Sequence, residues 1–133
     1  MTPDELLGTW HFTRMVDDRR DDRRIPVHGT ATFSRSGPDR IVWVESGTMG
    51  LPGGEVPIST ERALERGPEG SWATNFADGR EFHDWRWGAE LVHDCAPDLY
   101  SGRLDGDASG WRMRWAASGP SKDYVIETAY RRL

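Results

Sequence analysis

Apolar and polar residues alternate along most of this chain, and past its first turn no long stretch repeats apolar side chains at the helical period of about 3.6. Segments of roughly six to nine residues recur instead, separated by Gly, Pro and Asp, as in all-β sandwiches and barrels. The pattern predicts strands over 8–16, 27–35, 40–47, 58–66, 71–77, 80–87, 90–95, 98–104, 110–117 and 123–132. Only the start departs from it. Thr2-Pro3-Asp4-Glu5 has a capping hydroxyl, a proline at the first helical position and a glutamate three residues after the cap, and Gly8 ends this turn. DDRRDDRR at 17–24 would set like charges at every i,i+4 pair of a helix, so it is expected as an extended, charged hairpin tip or flap at a barrel mouth. SGTMGLPGGEVPI at 46–58 is expected to stay irregular.

Ala77-Asp78-Gly79-Arg80 predicts a hairpin with a two-residue turn, because Asp-Gly tolerates the left-handed backbone that such turns need. Pairing outward from it sets Phe76 opposite Glu81, Thr74 opposite His83 and Trp72 opposite Trp85, with the aromatic face turned inward. The next connection leaves two registers open. A two-residue loop at Gly88-Ala89 would put His93 and Cys95 on the face opposite His83; one more loop residue would pair Trp85 with His93 and His83 with Cys95. The apolar character of Leu91, His93 and Cys95 against Val92 and Asp94 favours their facing inward. Alternation along the other strands adds Trp10, Phe12, Arg14, Trp43, Arg62, Trp111, Met113, Trp115, Tyr124 and Tyr130 to the interior. His11 and His28 fall on the surface.

Composition supports a shell around a cavity. Seven Trp, four Phe and three Tyr supply much apolar surface, yet only 36% of the 133 residues are hydrophobic and mean hydropathy is −0.71. The length suits one domain over 1–133. A net charge of −5 with dispersed basic residues argues against a grip on nucleic acid or an anionic membrane. No apolar run nears the roughly 20 residues of a membrane span. With no basic segment followed by an apolar one at the amino terminus, and a single cysteine, a cytoplasmic location is expected. Arg outnumbers Lys 16 to 1, which reflects coding bias and singles out Lys122.

Two ends of the chain carry a resemblance. GTW at 8–10, after a short helix, resembles the Gly-x-Trp motif of lipocalins and their calycin relatives, and KDY at 122–124 with a strand ending in Arg131 resembles their later Thr-Asp-Tyr and Arg elements, with Lys122 in place of Thr. The pattern of GTW, FADGREFH, HDCAPDLYSG and GPSKDYVIETAYRR is also similar to a family of short, functionally uncharacterised bacterial proteins with a lipocalin-like barrel. The resemblance implies a calycin-like antiparallel β-barrel of eight to ten strands around a ligand cavity, with Trp10 and a late arginine packed at the closed end. It implies no reaction.

Three chemistries are open to the residues gathered at 81–100. His83, His93, Cys95 and Asp98 are competent metal ligands, but their spacing matches no compact zinc signature, and no metal or cofactor is expected. In acid–base chemistry, His83 and His93 are the proton carriers, desolvation favouring the neutral ring and a carboxylate in reach, Asp98 or Asp94, pulling the other way, while Tyr100 and Tyr130 donate to a developing oxyanion and Lys122 steers an anionic group. Such a set suits a cofactor-independent isomerase, cyclase, lyase or hydrolase. In plain binding, Arg14, Trp43, Arg62, Trp72, His83, Trp85, His93, Tyr100, Lys122 and Tyr130 form the lining. Inward arginines among aromatics, Arg14 and Arg62, then either call for an anionic, aromatic or polyene-like ligand, because a buried charge needs a partner, or pack over a tryptophan as structural cation–π plugs. Binding of such a small molecule ranks first, by a monomer or, if strand edges stay exposed, a homodimer.

Overall fold

Where the sequence alternates, the chain forms strands. The computed structural model describes residues 1–133, and its ten strands are β1 (Gly8–Asp18), β2 (Arg23–Gly37), β3 (Arg40–Leu51), β4 (Gly54–Arg66), β5 (Trp72–Phe76), β6 (Glu81–Asp84), β7 (Glu90–Cys95), β8 (Asp98–Gly106), β9 (Gly110–Gly119) and β10 (Lys122–Arg132). All ten join one antiparallel sheet in the order β6-β5-β4-β3-β2-β1-β10-β9-β8-β7. The sheet coils into a nearly closed barrel in which the short strands β6 and β7 are the two edges, with no ladder between them. No helix is long and apolar enough to cross a membrane.

One end of the barrel is packed solid. Trp111 lies face to face with Tyr130 at 3.9 Å and touches Trp10, Phe33, Trp43, Trp85 and Trp87 around its rim. A single 3-10 turn, Pro3–Leu6, covers this end, started as expected by the Thr2 N–H donating to the Glu5 carboxylate at 2.8 Å. The indole of Trp10 donates to the Leu6 carbonyl and that of Trp85 to the Met1 carbonyl. The late arginine at this end is Arg132 rather than Arg131. Its guanidinium lies 4.0 Å from the centre of the Trp10 ring and donates to the Glu5 and Leu7 carbonyls, which ties the covering turn down.

The expected irregular loop at 46–58 is instead a long hairpin, with strand on both sides of a turn at Pro52-Gly53. Its glycines answer to close approach rather than disorder. Gly47 pairs directly with Gly29 across β2 and β3, and a Cβ on Gly47 would lie 2.0 Å from the His28 carbonyl oxygen. The facing glycines let the two backbones approach closely. Gly47→Ala is expected to cost about 2 kcal/mol or more, because only backbone can move out of its way. Urea unfolding of the two proteins measures this, and equal midpoints would mean that the two backbones move apart freely. The charged block behaves as expected: Asp17 and Asp18 pair with Arg24 and Arg23 across β1 and β2, and backbone N–H groups of Arg19 and Arg20 bond to the Asp123 carbonyl.

Two local features of β5 and β6 cancel. The turn is three residues long, Phe76 bonding to Arg80 with Gly79 at φ +90°, so Asn75 rather than Phe76 faces Glu81. A bulge at Phe82 then restores the expected partner, and Thr74 faces His83. The connection after β6 fits neither register considered for Gly88-Ala89. Residues 85–89 cross the packed end, where Trp85 and Trp87 lie against Trp111, and deliver β7 to the far edge of the sheet. Burial of two indoles outweighs continuation of the ladder. β7 and β8 meet in a tight turn around Pro97, with Cys95 opposite Asp98.

Candidate functional site

Between the packed end and the open end lies a cavity of about 390 Å³. Its wall is a run of stacked rings, Phe76 on Phe82 at 4.7 Å and Phe82 on Trp115 at 5.0 Å. Gly102 makes room for this wall, since a Cβ there would lie 2.7 Å from the Trp115 ring. Phe82 was missing from the expected interior because the bulge that turns it inward leaves no mark in the alternation.

Three arginines, Arg14, Arg62 and Arg80, border the cavity, and no Asp or Glu does. Two are already paired. Arg80 bonds to Asp78 at 2.7 Å in the turn, and Arg14 bonds to Glu45 at 2.6 Å. Glu45, which sequence reasoning passed over, is 1% exposed and also accepts from the Tyr130 hydroxyl at 2.5 Å and the Trp43 indole at 3.2 Å. Arg14 further donates to Thr128 at 2.8 Å. The signal was present, since Glu45 follows Trp43 by two residues and so shares its inward face. Burial opposes the charge on Arg14, but Tyr130 and Glu45 beside it win and hold its pKa above the ordinary value. Burial first, and Glu45 second, push Tyr130 far up, so it stays a donor. This network satisfies Arg14 from within the chain and removes it as an argument for an anionic ligand.

Arg62 has no such partner. Its guanidinium lies over Trp43 at 5.2 Å and Phe82 at 5.8 Å, and it makes no ion pair. At the rim, Lys122 donates to the Tyr100 hydroxyl at 2.6 Å and to Asp98 at 3.2 Å. The Tyr100 bond first, then Asp98, raises the Lys122 pKa. With its oxygen accepting from Lys122, the Tyr100 hydroxyl keeps its own proton for a second acceptor. His93 and Tyr100 rings are 5.8 Å apart.

Of the expected lining, Arg14, Arg62, His93 and Tyr100 border the cavity, and so does Cys95, which is exposed. Trp43 and Tyr130 lie beneath its floor, and Trp85 belongs to the packed end. Trp72 packs under Arg66, away from the cavity. Lys122 and Asp98 hold each other at the rim. His83 faces a separate groove of about 290 Å³ between the edges of β6 and β7, at 4% exposure. Its Nδ1 donates to the Asp84 carbonyl at 2.8 Å. Desolvation, with a smaller contribution from Arg62, outweighs that bond and lowers its pKa to about 4, so the ring is neutral and its Nε2 carries the lone pair. No three His, Cys, Asp or Glu residues come together as a metal site.

A larger hollow of about 770 Å³ lies on the outer face of β1, β2, β8, β9 and β10. Outward residues such as His11, His28 and Arg112 border it, and Arg103 and Arg114 there pair with Asp105 at 3.7 Å and Glu127 at 3.6 Å.

The fold is shared with solved structures at low identity. The S-type phycobiliprotein lyase CPES from Guillardia theta superposes with a TM-score of 0.68 at 10% identity, over 98% of this chain and 90% of that one. A redesigned β-barrel, mFAP1, bound to DFHBI, gives 0.54 at 16% identity over 98% and 97%. A fluorescence-activating β-barrel of de novo design gives 0.54 at 17% identity over the whole of both chains. No curated protein matches the sequence. The family model that does match covers residues 6–132, nearly the whole barrel, and the chain therefore belongs to DUF6314, a family of unknown function.

Proposed function

We propose that this protein binds a small anionic molecule with an aromatic or polyene-like body in the cavity at the open end of a lipocalin-like barrel, working in the cytoplasm as a monomer or homodimer. The observation that carries this reading is Arg62, a cavity-facing guanidinium outside any ion pair, the other two arginines at the cavity being held by Glu45 and Asp78. A planar anion seated on Arg62 lays its rings along Phe82 and Trp115, and the cavity volume of about 390 Å³ suits one small molecule. Among barrels of similar fold, mFAP1 is bound to DFHBI and CPES is a phycobiliprotein lyase, which supports a ligand in the barrel.

Arg62→Met is expected to weaken binding of 2-naphthoate by roughly 10–100-fold, the worth of one charge-assisted hydrogen bond. Binding of neutral 2-naphthylmethanol should change little. Calorimetric titration compares the two, and equal losses for acid and alcohol would reject Arg62 as the anion anchor.

The Lys122 to Tyr100 hydrogen bond favours a second reading, cofactor-independent acid–base chemistry on such a molecule, as an isomerase, cyclase, lyase or hydrolase. In this reading Tyr100 donates to the developing oxyanion, His93 exchanges the proton, and Asp98 positions Lys122. His83, set apart in its groove, takes the other proton-transfer role only if a ligand reaches it. Tyr100→Phe is then expected to lower turnover about 100-fold or more while leaving binding measurable, with conversion followed by mass spectrometry. An unchanged ligand after long incubation with the intact protein would leave binding alone.

A further inference from the structure

The groove between β6 and β7 remains outside the function just proposed, and three observations there converge. The first is that nothing but side chains separates it from the cavity. Phe82 and His93 border both spaces, their rings meet edge to face at 5.5 Å, and no backbone ladder joins the two strands across the seam. No sheet hydrogen bond crosses this partition.

The second is an unused acceptor. His83 borders the groove at 4% exposure, and with Nδ1 donating to the Asp84 carbonyl its Nε2 is left with no partner in the chain. A nearly buried nitrogen with a free lone pair is matched by an N–H or O–H donor.

The third is charge. The groove is bordered by Glu81, Asp84 and Asp94 against Arg86, whereas at the cavity Arg62 is the guanidinium outside an ion pair, Arg14 and Arg80 being held by Glu45 and Asp78. One side of the Phe82 and His93 partition is acidic and the other basic.

We infer that the seam groove is a second subsite of the same cavity, and that the ligand is an elongated dipolar molecule whose cationic or hydrogen-donating end lies on His83 and Asp94 while its anionic end lies on Arg62. This rests on the cavity reading for the anionic end. The groove adds the specificity, because a molecule with an anion alone leaves the His83 acceptor and the acidic groups unmatched.

Calorimetric titration of the full chain with biphenyl-4-carboxylate and with 4′-(aminomethyl)biphenyl-4-carboxylate separates the two ideas. The dipolar probe is expected to bind at least tenfold more tightly, and Asp94→Asn and His83→Gln are each expected to cut that advantage severalfold. Should His83→Gln fail to fold, Asp94→Asn, an exposed change, carries the test. In the intact protein the Nε2 nitrogen resonance of His83 is expected to move with the dipolar probe and to stay in place with the simple acid. Equal affinities with an unmoved His83 would overturn the second subsite and leave the cavity reading intact if Arg62→Met still weakens the acid. Failure of both probes to bind would overturn the cavity reading and the subsite with it.

Discussion

Glu45→Ala is expected to lower stability by about 3–5 kcal/mol, the usual cost of removing one partner of a buried ion pair. The carboxylate is 1% exposed and accepts from three donors, Arg14, Tyr130 and the Trp43 indole. Its removal leaves the Arg14 charge, 13% exposed at the cavity wall, with only neutral oxygens beside it. For a chain of this length the loss corresponds to a fall in Tm of about 11–18 °C. The double change Arg14→Met with Glu45→Leu should recover much of it, because the penalty comes from the orphaned charge and not from the missing attraction. Thermal unfolding of both variants checks this. A Glu45→Ala protein as stable as the parent would mean that water reaches the pair.

His83 should make stability fall as the solution is acidified. Its folded pKa is lowered to about 4 from the ordinary 6.5, chiefly by desolvation, so between these values the unfolded chain binds the proton and the folded one does not. The contribution is therefore complete above pH 6.5 and is lost progressively as pH drops toward 4. At roughly 1.4 kcal/mol per pKa unit it amounts to about 3 kcal/mol. Carboxylates titrate in the same window, so the measurement is the difference in unfolding free energy between the protein and His83→Leu across pH 4–7. That difference should slope with pH, and a flat one would show that the ring is hydrated. Because β6 is held by a short ladder on one side only, the acid-induced loss should start at the seam. Amide hydrogen exchange in β6 and β7 reads it.

The strands and the inward placement of Trp10, Phe12, Trp111, Trp115 and Tyr130 were legible in the sequence, because alternation is a local code with a period of two. The same code named Arg62 and, read one step further along β3, would have named Glu45. It failed where something nonlocal set the geometry. Gly47 and Gly50 looked like loop residues, yet they stand in strand, Gly47 against the backbone of β2 and Gly50 against Pro26. Phe82 turned inward because a longer turn and a bulge offset each other within four residues of chain.

What the sequence determined by itself, then, is an antiparallel barrel with an aromatic interior and arginines in it. The tertiary structure alone decided which arginine is free. Pairing depends on which strands become neighbours: β3 and β10 bring Glu45 and Tyr130 to Arg14 and bring no carboxylate to Arg62. It alone decided that His83 and His93 lie on the two sides of an unpaired seam, each against the Phe82 ring, because the indoles of Trp85 and Trp87 pack at the closed end and carry β7 to the opposite edge. Contact between residues distant in the chain is a property of the closed sheet, and a period-two pattern carries no record of it.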